Sequence, residues 1–346
     1  CSFRGDTVCE WALNTSTRAA ALSGVPAGGV STIFVTPYRQ LMLLGCSNGV
    51  AFNPRRVNYS DQEDNTEYTP SPVVLAGVFT LSEGSMVMCG ATTDRGMLIW
   101  TDKAVYPLSY QGDPNAPYSL GDPLATGVGI IGPLAKASKD GVIVWWGNNK
   151  QFYIYDGSPP KILECPVAGD VLENVAPLQE WKVWAGTNKQ WDEYWFGWQS
   201  QVSTTGECDR YVIVNLTEGW APGTGDWTTW HDKQELAVPM SANAAGQVFA
   251  QELGTSDNGT PMIATAKTYA FDFGAAHPRI DIKGIIPIFS ELAVGVEISV
   301  FPQEYPASTP TEDGPYVVLP GQETQDLRSS GRLACVQWRS LSDVNC

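Results

Sequence analysis

Apolar and aromatic residues fall in short runs along the whole chain, cut by Gly, Pro, Asn and Asp. Two stretches show this best. Met97-Leu98-Ile99-Trp100 is followed by Val105-Tyr106-Pro107-Leu108, and Val142-Ile143-Val144-Trp145-Trp146 by Phe152-Tyr153-Ile154-Tyr155. The breaks are Thr101-Asp102-Lys103 and Gly147-Asn148-Asn149-Lys150. β-Branched and aromatic residues suit a pleated, half-buried surface, and Asn and Gly supply the positive φ of a tight turn. Both stretches predict strand, turn, strand.

The theme recurs. Trp145 lies 45 residues after Trp100, and Trp195 a further 50 on. Leu43 precedes Trp100 by 57, Val248 follows Trp195 by 53, and Trp11 precedes Leu43 by 32. These steps exceed a hairpin and suit the blades of a propeller. The expected fold is all-β: a degenerate β-propeller over residues 1–258, incomplete at its N-terminus, with at most five or six blades. A short hairpin at residues 8–22 opens it, turning at residues 14–17. Around residues 254–260 the texture becomes polar and Gly-rich. Apolar runs at 282–289, 294–301, 316–319 and 333–338 then predict a C-terminal β-sandwich-like domain over residues 259–346. A last propeller blade is the alternative for this tail. The one helix candidate, residues 167–184, is interrupted by Pro177, so less than about a tenth of the chain is expected in helix.

Composition narrows the function. Apolar residues make up 43% of the chain and aromatics 11%, which excludes a disordered protein. The net charge of −16 opposes a protein that grips DNA by its phosphates, because Lys and Arg carry that affinity. It leaves open a surface past which DNA slides, since like charges do not stick. The eight cysteines include no CxxC pair and sit mostly in apolar runs. They read as buried free thiols rather than as a disulfide framework or a zinc site. No apolar run approaches the roughly 18 residues of a membrane span. Cys1 could be the lipidated start of a lipoprotein, but the chain enters a strand-like run at once. A first residue that is not the native start is the preferred reading.

Candidate chemistry is sparse. His231 and His277 are the two histidines. Asp232 adjoins His231, so on a strand their side chains would oppose each other, against a Ser-His-Asp triad. Asp61, Glu63, Asp64 and Glu67 could bind Ca²⁺ but lack EF-hand spacing, and a self-capping turn fits better. Asp102, Asp140, Asp156 and Asp192 stand at strand ends, where turns also recruit Asp. A glycosidase needs two carboxylates about 5 to 10 Å apart, which spacing along a propeller chain cannot reveal. Trp100, Trp145, Trp146, Trp195, Trp198, Trp220, Trp227 and Trp230 could stack on sugars, but their place beside strand residues favours packing between blades. The sequons at Asn14, Asn58, Asn215 and Asn258 matter only in a glycosylating host. No catalytic, cofactor-binding or metal-binding residue is assigned.

Several segments resemble a known family. Asn53-Pro54-Arg55-Arg56-Val57-Asn58-Tyr59-Ser60-Asp61-Gln62-Glu63-Asp64, followed by Tyr68-Thr69-Pro70, is similar to a segment of the tail nozzle or hub proteins of short-tailed bacteriophages. So, in order, are Leu98-Ile99-Trp100-Thr101-Asp102, the Gly132-Pro133 step before Asp140-Gly141-Val142, the Asp156-Gly157 turn, Glu207-Cys208-Asp209-Arg210-Tyr211-Val212-Ile213-Val214-Asn215, Gly314-Pro315-Tyr316 and Gly331-Arg332. The motifs are short, and their order is the stronger signal. The resemblance implies a virion structural protein of the tail, built around a propeller and not an enzyme. Several copies, typically six, would form a ring below the portal and adaptor, retaining the genome and conducting DNA during ejection. The implied partners are further copies, adaptor or portal-side proteins, tail fibres or spikes, and genomic DNA passing without sequence-specific binding. No cofactor is implied. The chain departs from the family by starting where such proteins are already inside the propeller. The alternative is a propeller protein that binds or cleaves glycans. A lipoprotein scaffold anchored at Cys1 is a third reading.

Overall fold

The turn signals divide the chain into strands too short to stand alone, so each apolar run must pair with the next. In the computed structural model they do so as antiparallel meanders. The structure describes residues 7–225, 227–232, 238–254, 256–257, 259–261, 263–272, 279–289, 295–305 and 308–341. It divides into two units, Cys1–Glu252 and Leu253–Cys346, so the boundary falls a little before the expected residue 258.

In the first unit, a short hairpin pairs Cys9–Glu10 with Ala20–Ala21. The first full sheet follows: Val30–Val35, Leu41–Ser47, Phe52–Tyr59 and Gly77–Thr80. The second holds Val87–Thr93, Gly96–Thr101, Ala104–Asp113 and Ala116–Leu120, with Ala125–Thr126 also paired to its third strand. The third holds Lys136–Lys139, Val142–Trp146, Phe152–Tyr155 and Lys161–Leu163. The fourth holds Trp184–Asn188, Glu193–Trp198, Arg210–Asn215 and Gly219–Thr224. The fifth holds Thr229–His231, Met240–Ala242 and Val248–Ala250. The first strands of the third and fourth sheets lie side by side, and Leu134 bridges Trp184 in parallel. Sequential meanders joined along their first strands are the blades of a β-propeller.

The expected tryptophans form the walls between blades. Trp100 of the second sheet meets Trp145 of the third edge to face, with ring centroids 5.6 Å apart. Trp146 meets Trp198 of the fourth in the same way at 5.6 Å, and Phe152 meets Phe196 at 5.1 Å. All six rings are at 0–1% exposure. Edge-to-face pairs match the positive ring edge to the negative ring face and add to the apolar burial. Trp195 stacks on Trp230 of the fifth sheet at 4.6 Å. Between the first and second sheets the core is smaller in grain: Met42, Leu44 and Val57 pack with Ile99, Tyr106 and Leu108.

Two expectations shift by one element. Trp100, Trp145 and Trp195 all occupy second strands, but Val248 lies on the third strand of its sheet. The second strand there is Met-Ser-Ala, too polar and too short to announce itself. Within residues 167–184 the helix shrinks to one turn and a half at Ala168–Glu173, with a 3₁₀ turn at Glu180–Lys182.

The second unit has a sheet in the spatial order Thr265–Lys267, Leu333–Ser340, Val296–Gln303, Asp313–Val318, and a pair Ile280–Ile285 with Gln325–Gly331. Val300 and Ala334 of the former pack with Leu327, Ile282 and Ile285 of the latter, a sandwich-like core. Among the described residues, no helix is long and apolar enough to cross a membrane.

Candidate functional site

The strand-end carboxylates singled out in the sequence do not converge on a shared cleft. Asp102 turns back onto the loop before the second sheet. Its Oδ1 accepts from the Ser85 backbone N–H at 2.7 Å and its Oδ2 from the Ser85 hydroxyl at 2.6 Å. Beside it, Thr101 Oγ1 accepts from the backbone N–H groups of Lys103 and Ala104 at 3.2 and 2.9 Å. Asp156 caps its own turn, accepting from the Ser158 N–H at 2.9 Å and from Lys161 Nζ at 3.1 Å. These bonds favour the ionised form, the Ser158 N–H foremost, and hold the Asp156 carboxyl down at about 2. Asp140 and Asp192 do come together, but on a lysine: Lys139 Nζ lies 3.6 Å from Asp140 and closer still to Asp192. Two carboxylates bridged by an ammonium are a crosslink between the third and fourth sheets.

The acidic loop caps itself, as expected. Asp64 Oδ1 accepts from the Thr66 hydroxyl and N–H at 2.6 and 2.8 Å, which lowers its pKa. Asp61 accepts from the Leu75 N–H at 2.8 Å, and Glu63 pairs with Arg39 at 2.6 Å. His231 shares a hydrogen bond with Thr229 Oγ1 at 3.2 Å; Asp232 points to Thr187 Oγ1 instead, at 2.7 Å. His277 and Asn258 lie outside the described residues. Cys46, Cys89, Cys208 and Cys335 are buried free thiols, and Cys9 and Cys165 are partly buried. Burial pushes the Cys46 and Cys89 thiols up to about 11 and Cys208 up to about 12, the environment of an inert cysteine rather than a nucleophile. A cleft of ≈ 630 Å³ between Lys150–Phe152 and Ile162–Leu172 carries one carboxylate, Glu164, and therefore no acid–base pair.

The structure does assemble one group of acids that the sequence did not suggest. The hairpin Asn188 to Glu193 joins the first two strands of the fourth sheet, and Glu252 follows the last strand of the fifth. Glu252 accepts from Asn188 Nδ2 at 3.1 Å and from the Trp191 indole N–H at 3.0 Å. Glu193, the cross-strand partner of Asn188, accepts from the Trp195 indole N–H at 2.9 Å. Partial burial raises the Glu193 pKa, and the nearby charges of Glu252 and Glu218 raise it further. Trp191 remains 54% exposed. The three acids come from different turns, which is why spacing along the chain gave no sign of them. The one available cue was the dense run Trp191-Asp192-Glu193-Tyr194-Trp195.

No family model matches the chain, and no curated protein matches it. Among solved structures, an exo-β-1,3-galactanase from Phanerochaete chrysosporium, determined with galactose, is similar over 98% of this chain and 97% of its own, with 10% identity and a TM-score of 0.31. A second, titled as a glycoside hydrolase, is similar over 88% of this chain and 92% of its own, with 9% identity and a TM-score of 0.26. The expectation that the chain is not an enzyme is corrected here. The exclusion was drawn from the tail-protein resemblance, for which no family model and no curated protein gives a match, and the solved structures named above are a galactanase and a glycoside hydrolase. The β-propeller itself stands on the sheet order and the interblade walls described above.

Proposed function

We propose that the chain is a component of the tail of a short-tailed bacteriophage, a subunit of the ring-shaped nozzle or hub below the portal and adaptor. The observation that carries this reading is where the ordered motifs fall. Thr101-Asp102 fixes the second sheet to the loop before it. Gly141 and Gly157 lie against the Asp94-Arg95 turn of the second sheet: a Cβ on Gly141 would stand 2.1 Å from Asp94 Oδ2, and one on Gly157 2.7 Å from the Arg95 guanidinium. Arg95 also donates to the Gly157 carbonyl at 2.8 Å. Asp209, inside the Glu207 to Asn215 motif, clamps Ser200 through its N–H and hydroxyl at 2.7 Å each. Of the residues that carry the resemblance, Gly141 and Gly157 thus join the second and third sheets, and Asp102 and Asp209 brace turns within one sheet, which supports a shared scaffold.

In this reading copies of the chain, six in number, close a ring, adaptor or portal-side proteins seat above it, and tail fibres or spikes attach to it. The net charge of −16 favours passage of DNA over adhesion. Averaged electron microscopy of purified particles tests it: the expected result is this chain in a sixfold tail ring. A chain absent from virions and monomeric in solution overturns it. Release of reducing ends from a glycan panel would instead support the alternative of a glycan-cleaving propeller.

A further inference from the structure

Among the described residues, the first four full sheets of the first unit carry four strands or more, and the fifth stops at three. Its last strand, Val248–Ala250, pairs on one side only, with Met240–Ala242. Two bonds flank this pairing, from the Asn243 N–H to the Gln247 carbonyl at 3.0 Å and from the Gln251 N–H to the Pro239 carbonyl at 2.8 Å. Bonded and unbonded positions alternate along an antiparallel pair. Phe249 therefore bonds to Ser241, and the N–H and C=O groups of Val248 and Ala250 point off the sheet. Both residues are exposed, Val248 at 66%. The outermost strands of the second, third and fourth sheets carry Pro117, Lys161 and Pro222, residue types that discourage a further strand. Val248-Phe249-Ala250 carries no such guard.

The second unit holds the converse, a strand-like run with nothing to pair with. The apolar run at 282–289 predicts a strand to its end, but the strand stops at Ile285. Ile286-Pro287-Ile288-Phe289 continues it without a strand partner among the described residues, and Ile286 and Ile288 are 71% and 91% exposed. We propose that this segment of one copy adds to the Val248–Ala250 edge of a second copy as the missing fourth strand. In the antiparallel register Ile288 lies opposite Val248, and Ile286 opposite Ala250. Both isoleucines then turn their backbone groups to the open edge and set their side chains beside Val248 and Ala250. Pro287 lies opposite Phe249, and its missing N–H falls on the outer side, the one place in a sheet where proline is tolerated. The same proline bars a further strand, so the sheet ends there. Donor and acceptor are different surfaces, so the contact is head to tail, the kind that closes a ring when its rotation allows. It deepens the ring reading by naming the contact between copies, and rests on that reading only for their number.

The full chain is followed by sedimentation velocity over a micromolar concentration series, with Ile288→Lys as a donor variant and Val248→Lys as an acceptor variant. Both positions are exposed, so neither change removes packing within a copy. Concentration-dependent association is expected of the parent, weakened at least about tenfold in each variant alone. Mixed in equal amounts, the two variants should form a dimer and nothing larger, because each supplies the half the other lacks. Hydrogen exchange of the parent should slow at the Val248 and Ala250 amides on association, while the Phe249 amide, already bonded within the sheet, stays as it was. A parent that stays monomeric, variants that associate like the parent, or a mixture that stays monomeric overturns the proposal. A virion ring in which the Val248–Ala250 edge is bare overturns this contact and leaves the tail reading standing. A mixed dimer from a chain absent from virions keeps the contact without the tail.

Discussion

The wall between the second and third sheets and the core of the C-terminal unit bury apolar surface in different ways. The first is built of large rings: Trp100 and Trp145 are both at 0% exposure, in edge contact, and Tyr153 stacks on Trp145 at 5.4 Å. The second is built of Val300, Leu327 and Ala334, with Ile282, Ile285, Phe271 and Tyr316 around them. Large rings fill the wedge between diverging blades with few side chains. Each ring is then hard to replace, because no neighbour can move far enough to close the hole it leaves. A core of small aliphatic groups spreads the same task over more positions, and each one matters less.

The largest expected effect follows directly. Trp145→Ala should destabilise the first unit by about 3–5 kcal/mol, read as the shift in a denaturant midpoint. A finer comparison separates ring volume from polarity. The Trp145 indole N–H donates to the Val128 carbonyl at 3.0 Å, whereas the buried Trp100 indole N–H has no partner. Trp145→Phe strands that carbonyl and Trp100→Phe removes an unsatisfied donor, so the first should cost more than the second. Equal costs would mean that volume alone governs the wall.

The ring walls were also the most legible part of the chain. Trp100, Trp145 and Trp195 mark second strands because a blade needs a bulky residue at the same place in each repeat. The C-terminal unit was less legible. Gln325–Gly331 pairs along its length with Ile280–Ile285, but it reads Gln-Asp-Leu-Arg-Ser-Ser-Gly, with Leu327 and Ser329 as its buried side chains. A strand that buries a serine has no apolar alternation to detect. The acids at the rim were illegible for another reason. Asp102 and Asp156 stand in turn motifs and act within a few residues or one loop, so sequence could nominate them; Glu252 reaches Asn188 and Trp191, on the hairpin that carries Glu193, only after two sheets have docked.

Next in size is the aliphatic core. Leu327→Ala should cost about 2–4 kcal/mol, less than Trp145→Ala, with the loss confined to hydrogen-exchange protection of the C-terminal strands. Loss of protection in the second and third sheets as well would mean that the two units unfold as one. Smaller again is the Asp102 staple. Asp102→Ala removes bonds to the Ser85 N–H and hydroxyl and should cost about 1–2 kcal/mol, in the range of a lost cap. Asp61→Ala, which frees the Leu75 N–H, makes the matching test on the first sheet.

The smallest effect sets the ring-walled scaffold against its charged rim, and its sign depends on pH. The Glu193 pKa is raised from its ordinary value of 4.5 by burial first and then by Glu252 and Glu218. A carboxyl whose folded pKa lies above its unfolded pKa holds its proton more tightly in the fold. Stability therefore falls as pH rises from the unfolded value through the folded one, and stays lower above it. Glutamine at this position is neutral throughout. Glu193→Gln should therefore melt higher than the parent at neutral pH, and the two should converge once the pH drops below about 4, where the glutamate is protonated in both states. The gap at neutral pH should narrow in high salt, because Glu193 is only partly buried and its repulsion from Glu218 and Glu252 is open to screening. A Gln variant that melts lower than the parent at neutral pH would mean that the bond from the Trp195 indole to the carboxylate outweighs the repulsion. The rim would then be a satisfied part of the scaffold.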